Sequence, residues 1–414
     1  MTIHSPAIPN LTRLIGRFFQ RLIHPRVYLD YASSTPLDKR LLRHIPTIDA
    51  LYSGANPSAL HREGVALRRV LSEARTRIAT TLGVHADEII FTASATESDN
   101  LALIGCAQAH MKAGIAPNRI AVFASAIEHA AVSETCAYLA TLGILDGSIP
   151  APDGVIDPKM ITVPEGVDVL IISVMYVNNE IGTVQPITEI AKRVRYLRKQ
   201  HPDVTIVLHV DATQAPLYYP LNVAKLGVDM LTLGATKFYT HKGVGVLYKR
   251  RSISLVPILH GGGQEFGLRP GTEAIEFIHA CSYALSYAQA TREEACKKIT
   301  MLQKYFEGLV KDQIPQAIIT GAKLLRSPHI SHIALPEFDS ELLVLELDAR
   351  GIAVSAKSAC KSEEVGESDT VRMLYGSNYG AVRFSFGRMT TKRELKKAVN
   401  ALRSVIQKYR LENC

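Results

Sequence analysis

No apolar run in this 414-residue chain reaches the roughly 18 residues that a membrane-spanning helix needs, which excludes a bundle of such helices. Cysteine is sparse. The six residues at positions 106, 136, 281, 296, 360 and 414 include no Cys-x-x-Cys pair and no metal-site spacing. Neither a disulfide framework nor a metal site is expected, and the chain reads as suited to a reducing, cytoplasmic compartment. Internal repeats, low-complexity tracts and a Gly/Ser linker are also missing, which leaves no repeat architecture to consider.

A hydrophobic content of 47% is enough for one large core and a second, smaller one. The formal charge of +8 is moderate, and the basic residues are dispersed apart from a run over residues 192–199. That run follows a helical pattern, so a solvated helix face accounts for it and no direct nucleic-acid contact is expected. Residues 1–26 contain no acidic side chain. Leu11, Leu14, Ile15, Phe18, Phe19, Leu22 and Ile23 recur there at helical spacing with Arg13, Arg17 and Arg21 opposite. This basic amphipathic extension has three readings: a helix docked on the fold, which is preferred, a membrane-surface contact through residues 11–23, or an organelle targeting segment.

From Val27 the pattern changes to a short strand and turn, followed by a helical stretch over residues 58–82. Near-continuous apolar runs at 88–92, 119–129, 167–175, 204–211 and 229–248 then alternate with helical segments. This is the signature of an α/β fold with a mainly parallel sheet covered on both faces. In such sheets ligands bind beyond the carboxyl ends of the strands. The polar residues His129, Asn179, Asp211, Gln214 and Lys237 fall at those ends. Residues 93–100 open a helix, with Thr96 a plausible cap and Asp99 three residues on, and a helix start among small residues is an anion site.

A lysine among small residues at the end of a buried strand is a candidate Schiff-base nucleophile, because desolvation lowers its pKa; a surface lysine in a loop is the competing reading. Asp211 ends an apolar strand, where a charged carboxylate needs a cationic partner. A strand-end aspartate, a downstream lysine and a helix start able to hold phosphate together fit pyridoxal phosphate.

The blocks Tyr28-Leu-Asp-Tyr31, Asn56-Pro-Ser58, Ala95-Thr-Glu-Ser-Asp-Asn100, Glu128-His129, Val177-Asn-Asn-Glu-Ile-Gly182, His209-Val-Asp-Ala-Thr-Gln214, Lys237, His260-Gly-Gly-Gly263, Gly271-Thr272, Ser358-Ala-Cys360 and Arg383-Phe-Ser385 occur in order. Together they resemble a cysteine desulfurase of the NifS/IscS type, in the class V aminotransferase family, over residues 27 to about 410. The resemblance implies the pyridoxal-phosphate-dependent transferase fold type I, with a mainly parallel seven-stranded sheet in a large domain and a smaller α+β domain. The expected division is an extension over 1–26, a large domain over 43–285, and a small domain from 27–42 with 286–414.

Carried over residue by residue, it implies Lys237 as the cofactor-bonding lysine and Asp211 as partner of the pyridine nitrogen. His129 stacks on the ring, Gln214 and Asn179 bond the phenolic oxygen, and Ala95 and Thr96 hold the phosphate. Thr272 reaches the cofactor of a second subunit, so a homodimer is implied. Arg383 and Asn56 hold the carboxylate of L-cysteine. Cys360, in a polar, turn-rich segment, is the nucleophile that takes up sulfur and passes it to a protein acceptor, an iron–sulfur scaffold or a tRNA-thiolation enzyme. Related readings are a lyase acting on selenocysteine and a non-catalytic scaffold paralogue. Where the family has Ser-Gly-His before the lysine, this chain has Gly234, Ala235 and Thr236. Thr236 offers one hydroxyl to the phosphate, and His241 is a candidate for the other donor. Lys357 and Lys361 replace a glycine and a threonine around Cys360 and favour its thiolate.

Overall fold

The structure, a computed structural model, describes residues 26–39, 55–356, 368–376 and 378–412. It begins with a two-residue strand, β1 (Val27–Tyr28). Helices and strands then alternate: α1 (Arg62–Leu82), β2 (Ile89–Thr92), α2 (Ala95–Lys112), β3 (Ile120–Ser125), α3 (Ala130–Thr141), β4 (Leu145–Ile149), β5 (Val169–Met175), α4 (Ile187–Gln200), β6 (Thr205–Asp211), α5 (Val223–Leu226), β7 (Met230–Gly234) and β8 (Gly245–Lys249). The expected amphipathic extension lies outside the described residues, apart from Arg26.

Strands β2 to β8 form one seven-stranded sheet in the order β2-β8-β7-β6-β5-β3-β4. Neighbours from β7 to β4 are parallel, and β8 alone runs antiparallel to both its partners. The β5 residues are buried throughout, and alternate positions serve different cores. Leu170, Ile172 and Val174 join one apolar cluster, Val169 and Ile171 the other. Both faces are therefore covered, which is why the strands read as unbroken apolar runs.

The remaining chain supplies α6 (Ile275–Ala290), α7 (Arg292–Gln313), β9 (Ile318–Ile319), β10 (Ile330–Pro336), α8 (Ser340–Ala349), β11 (Ile352–Ala353), α9 (Asp369–Tyr375), β12 (Tyr379–Ser385) and α10 (Lys392–Glu412). A three-stranded antiparallel sheet, β12-β10-β9, rests on α7, where the Phe306 ring lies 4.8 Å from Phe384 and 5.3 Å from Phe386. Strand β11 lies outside that sheet and pairs in parallel with β1, joining the first described strand to the later part of the chain.

Local chemistry explains where these elements depart from the periodicity. The helix expected from residue 58 starts at Arg62. Asn56 Oδ1 accepts a hydrogen bond from Ser58 N at 2.9 Å, which holds a turn, and His61 Nδ1 caps the helix from Gly64 N at 3.2 Å. Helices α6 and α7 follow one another directly and divide at Thr291, whose hydroxyl donates to the Tyr287 carbonyl at 2.8 Å. The last turn of α6 is thereby satisfied, and α7 sets off as a separate helix.

Candidate active site

Strands β2, β3, β5, β6 and β7 all end on one edge of the sheet, and a cavity of about 210 Å³ opens there. Its wall contains Ala95, Thr96, His129, Asn179, Asp211, Gln214, Thr236, Lys237 and Arg383. Residues scattered over almost 290 positions thus meet at one place.

Lys237 closes a short 3-10 turn, Ala235–Lys237, that follows β7. The segment after β1 grips this turn. Thr35 N and Oγ1 donate to the Thr236 carbonyl at 2.9 and 2.8 Å, Tyr239 N donates to Thr35 Oγ1 at 2.7 Å, and the Lys237 ammonium donates to the Ser33 carbonyl. Tyr239 holds a left-handed φ of 66°, and its hydroxyl accepts from Arg388 N at 2.7 Å. These bonds hold in place a conformation that a tyrosine disfavours.

Asp211 ends β6, and its Oδ1 accepts from Thr213 N at 2.8 Å. Among the described residues no lysine, arginine or histidine makes an ion pair with it. Two further carboxyls lie close by. Burial, reinforced by the charge of Asp211, holds the Asp99 carboxyl well above the usual range, and the same two causes push Glu128 up to about 8. Beneath them His209 is buried and pushed down to about 3, with Nδ1 2.9 Å from Ser173 Oγ and Nε2 3.0 Å from Thr232 Oγ1. A neutral imidazole therefore supports the end of the strand.

His129 was expected at the end of a strand; it is instead the N-cap of α3, its Nδ1 accepting from Ala131 N at 3.0 Å. That bond fixes the ring and leaves the proton on Nε2. The turn that carries Asn179 is held by Asn178, whose Oδ1 accepts from Glu180 N at 2.9 Å and Ile181 N at 2.8 Å. Asn179 is thereby relieved of a turn-holding role.

Thr96 is not the cap of α2. Ser94 Oγ accepts from Glu97 N at 3.1 Å, and Glu97 Oε2 accepts from Ala93 N at 2.6 Å. Because Ser94 and Glu97 do the capping, Ala95 and Thr96 form the first turn at the cavity wall, where helix N–H groups lie ahead of the helical ladder.

Arg383 lies on β12 and is buried, with Nη1 donating to the Asn179 carbonyl at 2.6 Å and Nη2 to Asp30 Oδ1 at 2.9 Å. Gln214 is held at both ends of its amide: Nε2 donates to the Ala32 carbonyl at 2.8 Å, and Oε1 lies 3.2 Å from His329 Nε2.

Two expected residues, Asn56 and His241, are not brought to the cavity. Asn56 is exposed, its side chain engaged in the turn before α1. Thr272, expected to act on a second subunit, is exposed on the loop after Gly271. His241 stacks on Phe277 at 4.8 Å and lines no part of the wall, so it is not placed to replace the missing phosphate donor. Cys360, Lys357 and Lys361 lie outside the described residues. Thr213 and His329 escaped the sequence reading, and Asp99 entered it only as the residue three on from the expected cap. Asp99 lies in the polar start of α2 and Thr213 in a short turn, and nothing in either pattern marks a cavity wall. Among the described residues Thr213 Oγ1 has no hydrogen-bond partner.

A family model described as aminotransferase class-V matches residues 27–398. The cysteine desulfurase IscS of Dictyoglomus turgidum is 35% identical over 389 residues, covering 93% of this chain and 95% of the relative. The corresponding enzyme of Proteus mirabilis is 35% identical over 393 residues, covering 93% of each chain. Among solved structures, a NifS-like protein superposes with a TM-score of 0.80 at 29% identity, over 92% of this chain and 99% of that one. A structure described as SspA in complex with cysteine gives a TM-score of 0.72 at 28% identity, over 87% and 98%. The match runs through β1, the sheet whose strand ends build the cavity, and the segment carrying Arg383, and on that evidence the chain belongs to the class V aminotransferase family.

Proposed function

We propose that this protein is a pyridoxal-phosphate-dependent cysteine desulfurase. It converts L-cysteine to L-alanine and takes the sulfur onto Cys360 as a persulfide for transfer to a protein acceptor. The observation that carries the reading is the convergence of Lys237, Asp211, His129, Gln214 and Arg383, from separate segments, on one cavity. Relatives curated as cysteine desulfurases, and a solved neighbour described with bound cysteine, support the choice of substrate.

The donor set fits the cofactor. A lysine amine, a strand-end carboxylate without a cationic partner among the described residues, a helix start and the buried, unpartnered Thr213 hydroxyl face one cavity. When bound, pyridoxal phosphate supplies an electron sink for the substrate's Cα. Asp211 is the counter-charge for the ring nitrogen, and His129, oriented by its capping bond, covers the ring. Gln214 and Asn179 serve the phenolic oxygen. Ala95, Thr96 and Thr236 hold the phosphate, with Thr272 acting on a second subunit of a homodimer. Arg383 retains N–H groups beyond those given to Asn179 and Asp30, and these take the substrate carboxylate. Lys237 would hold the cofactor through its side-chain amine, and that amine is the base that would move the proton at the substrate's Cα.

The Cys360 thiolate attacks the substrate sulfur. An S–S bond forms as the Cβ–S bond breaks, the electron pair stays on the carbon skeleton, and a proton completes the methyl group. L-cysteine and a thiol thus give L-alanine and a persulfide with no external oxidant. Cys106, Cys136 and Cys281 are unsuited to this role, since burial pushes each thiol up to about 12. Residues on both sides of the Cys360 segment neighbour residues of the cavity wall, which supports this reading. Arg383 N donates to the Ser355 carbonyl at 2.7 Å, and Ser368 lines a second cavity of about 490 Å³ together with His129 and Asn179.

The test is incubation with pyridoxal phosphate and L-cysteine, following alanine by chromatography and Cys360 by mass spectrometry. Alanine and a 32-dalton increment on Cys360 are expected. Cys360→Ser should lose the increment and lower alanine formation by about a hundredfold or more. Cofactor binding without alanine would overturn the reading.

A further inference from the structure

We propose that His329 is a positioning residue that fixes which end of the Gln214 amide faces the cavity, and so makes Gln214 a hydrogen-bond donor there. The inference rests on the cofactor reading above for its consequence, though not for its geometry.

One group in this chain of bonds has a role that cannot change. The Ala32 carbonyl only accepts, so the Gln214 atom 2.8 Å away must be the amide nitrogen. Gln214 Oε1 then faces His329 Nε2 at 3.2 Å, and an amide oxygen only accepts, so the imidazole must carry its proton on Nε2. His329 Nδ1 is left as an acceptor, and Ser327 Oγ, 2.6 Å away, donates to it. The direction of every bond from Ser327 through His329 and Gln214 to Ala32 follows from that single carbonyl.

The surroundings hold this tautomer in its neutral form. His329 is buried, its ring stacks on Tyr218 at 4.7 Å with an interplanar angle of 18°, and burial together with the charges of Arg383 and Lys237 pushes its pKa down to about 3. With Oε1 engaged by His329 and one N–H by Ala32, the remaining N–H is what Gln214 can offer at the cavity it lines. Loss of the His329 donor leaves a buried amide oxygen unpaired, and rotation of the side chain then relieves that cost.

Two measurements test the inference. In the protein without added cofactor, ¹⁵N-imidazole NMR at pH 7.5, with the signal assigned by its disappearance in His329→Gln, should show His329 protonated at Nε2 and bare at Nδ1. The opposite tautomer, or an imidazolium, would overturn the proposal whatever the cofactor does.

In the protein loaded with pyridoxal phosphate, the readout is the pH midpoint at which the bound cofactor's visible band changes. His329→Phe keeps the stack on Tyr218 and removes the donor. Removing an N–H bond to the phenolic oxygen favours that chromophore's protonated form, so the midpoint should rise, by about one pH unit for a hydrogen bond to a charged group. Gln214→Ala should raise it similarly, the double variant no further, and His329→Gln, which keeps an N–H donor, should return it to the wild-type value. A wild-type midpoint in His329→Phe alongside a shifted one in Gln214→Ala, or additive shifts in the double variant, would refute the role. A wild-type protein that develops no visible band refutes the cofactor reading instead, and the NMR result then decides the geometry alone.

Discussion

Glu128 shows how the site sets the state of single residues. Its Oε1 accepts from Met175 N at 2.7 Å, while its other oxygen is enclosed with no hydrogen-bond partner among the described residues. Burial and the nearby Asp211 hold its pKa at about 8, against 4.5 in an unfolded chain. A carboxyl raised in this way gives its full stabilisation below pH 4.5 and loses it as pH rises through 8, because the unfolded chain ionises first. Glu128→Gln should therefore remove a loss of about 1 to 3 kcal/mol that the wild type suffers between pH 5 and pH 8.5. Paired urea titrations at the two pH values measure the difference, and equal slopes for the two proteins would reject it.

At the level of elements, the start of α2 depends on how closely the backbone of one strand approaches the end of another. A Cβ on Gly245 would meet the Ser94 carbonyl oxygen at 2.2 Å and Thr92 Oγ1 at 2.3 Å. The absent side chain lets the turn between β2 and α2 lie against β8 and brings Ala95 and Thr96 to the cavity. Gly245→Ala should cost about 1 to 3 kcal/mol by overpacking and weaken cofactor binding at least tenfold through displacement of that helix start. Ser94→Ala removes only the cap and should cost about 1 kcal/mol. Thermal unfolding and fluorimetric titration with pyridoxal phosphate separate the two effects, and unchanged affinity in Gly245→Ala would contradict the link between the close approach and the site.

Across the whole molecule, acid sensitivity should come from histidines buried in the neutral state. His209, His329 and His332 are each pushed by burial to about 3, whereas an unfolded histidine titrates near 6.5. Bases depressed in this way contribute stability that is complete above pH 6.5 and is lost as pH falls toward 3. Each accounts for at most about 1.4 kcal/mol per pH unit. His209→Asn should flatten the acid slope of stability by about that amount between pH 6 and pH 4, as measured by denaturant titration. A slope identical to wild type would mean that His209 is protonated in the folded protein.

Much of this was legible in the sequence. Apolar runs buried on both faces show their period directly, so the sheet, its parallel character and the polar residues at its strand ends could be read from residue order. The element boundaries were less legible, because they are set by side chains bonding to nearby backbone. Ser94 rather than Thr96 caps α2, and Asn56 bonds Ser58 N instead of reaching the cavity. What only the tertiary structure decided is the set of contacts between residues far apart in the chain. Thr35 grips the lysine turn across some two hundred positions, Arg383 meets Asp30 across the length of the protein, and His329 faces Gln214. Local periodicity carries no information about such pairs, since their hydrogen bonds exist only after the sheet, the segment behind β1 and the later β10–β12 layer have closed on one another. The sequence by itself determined which chemistry this protein could hold; the packing of those three parts decided which atoms face it.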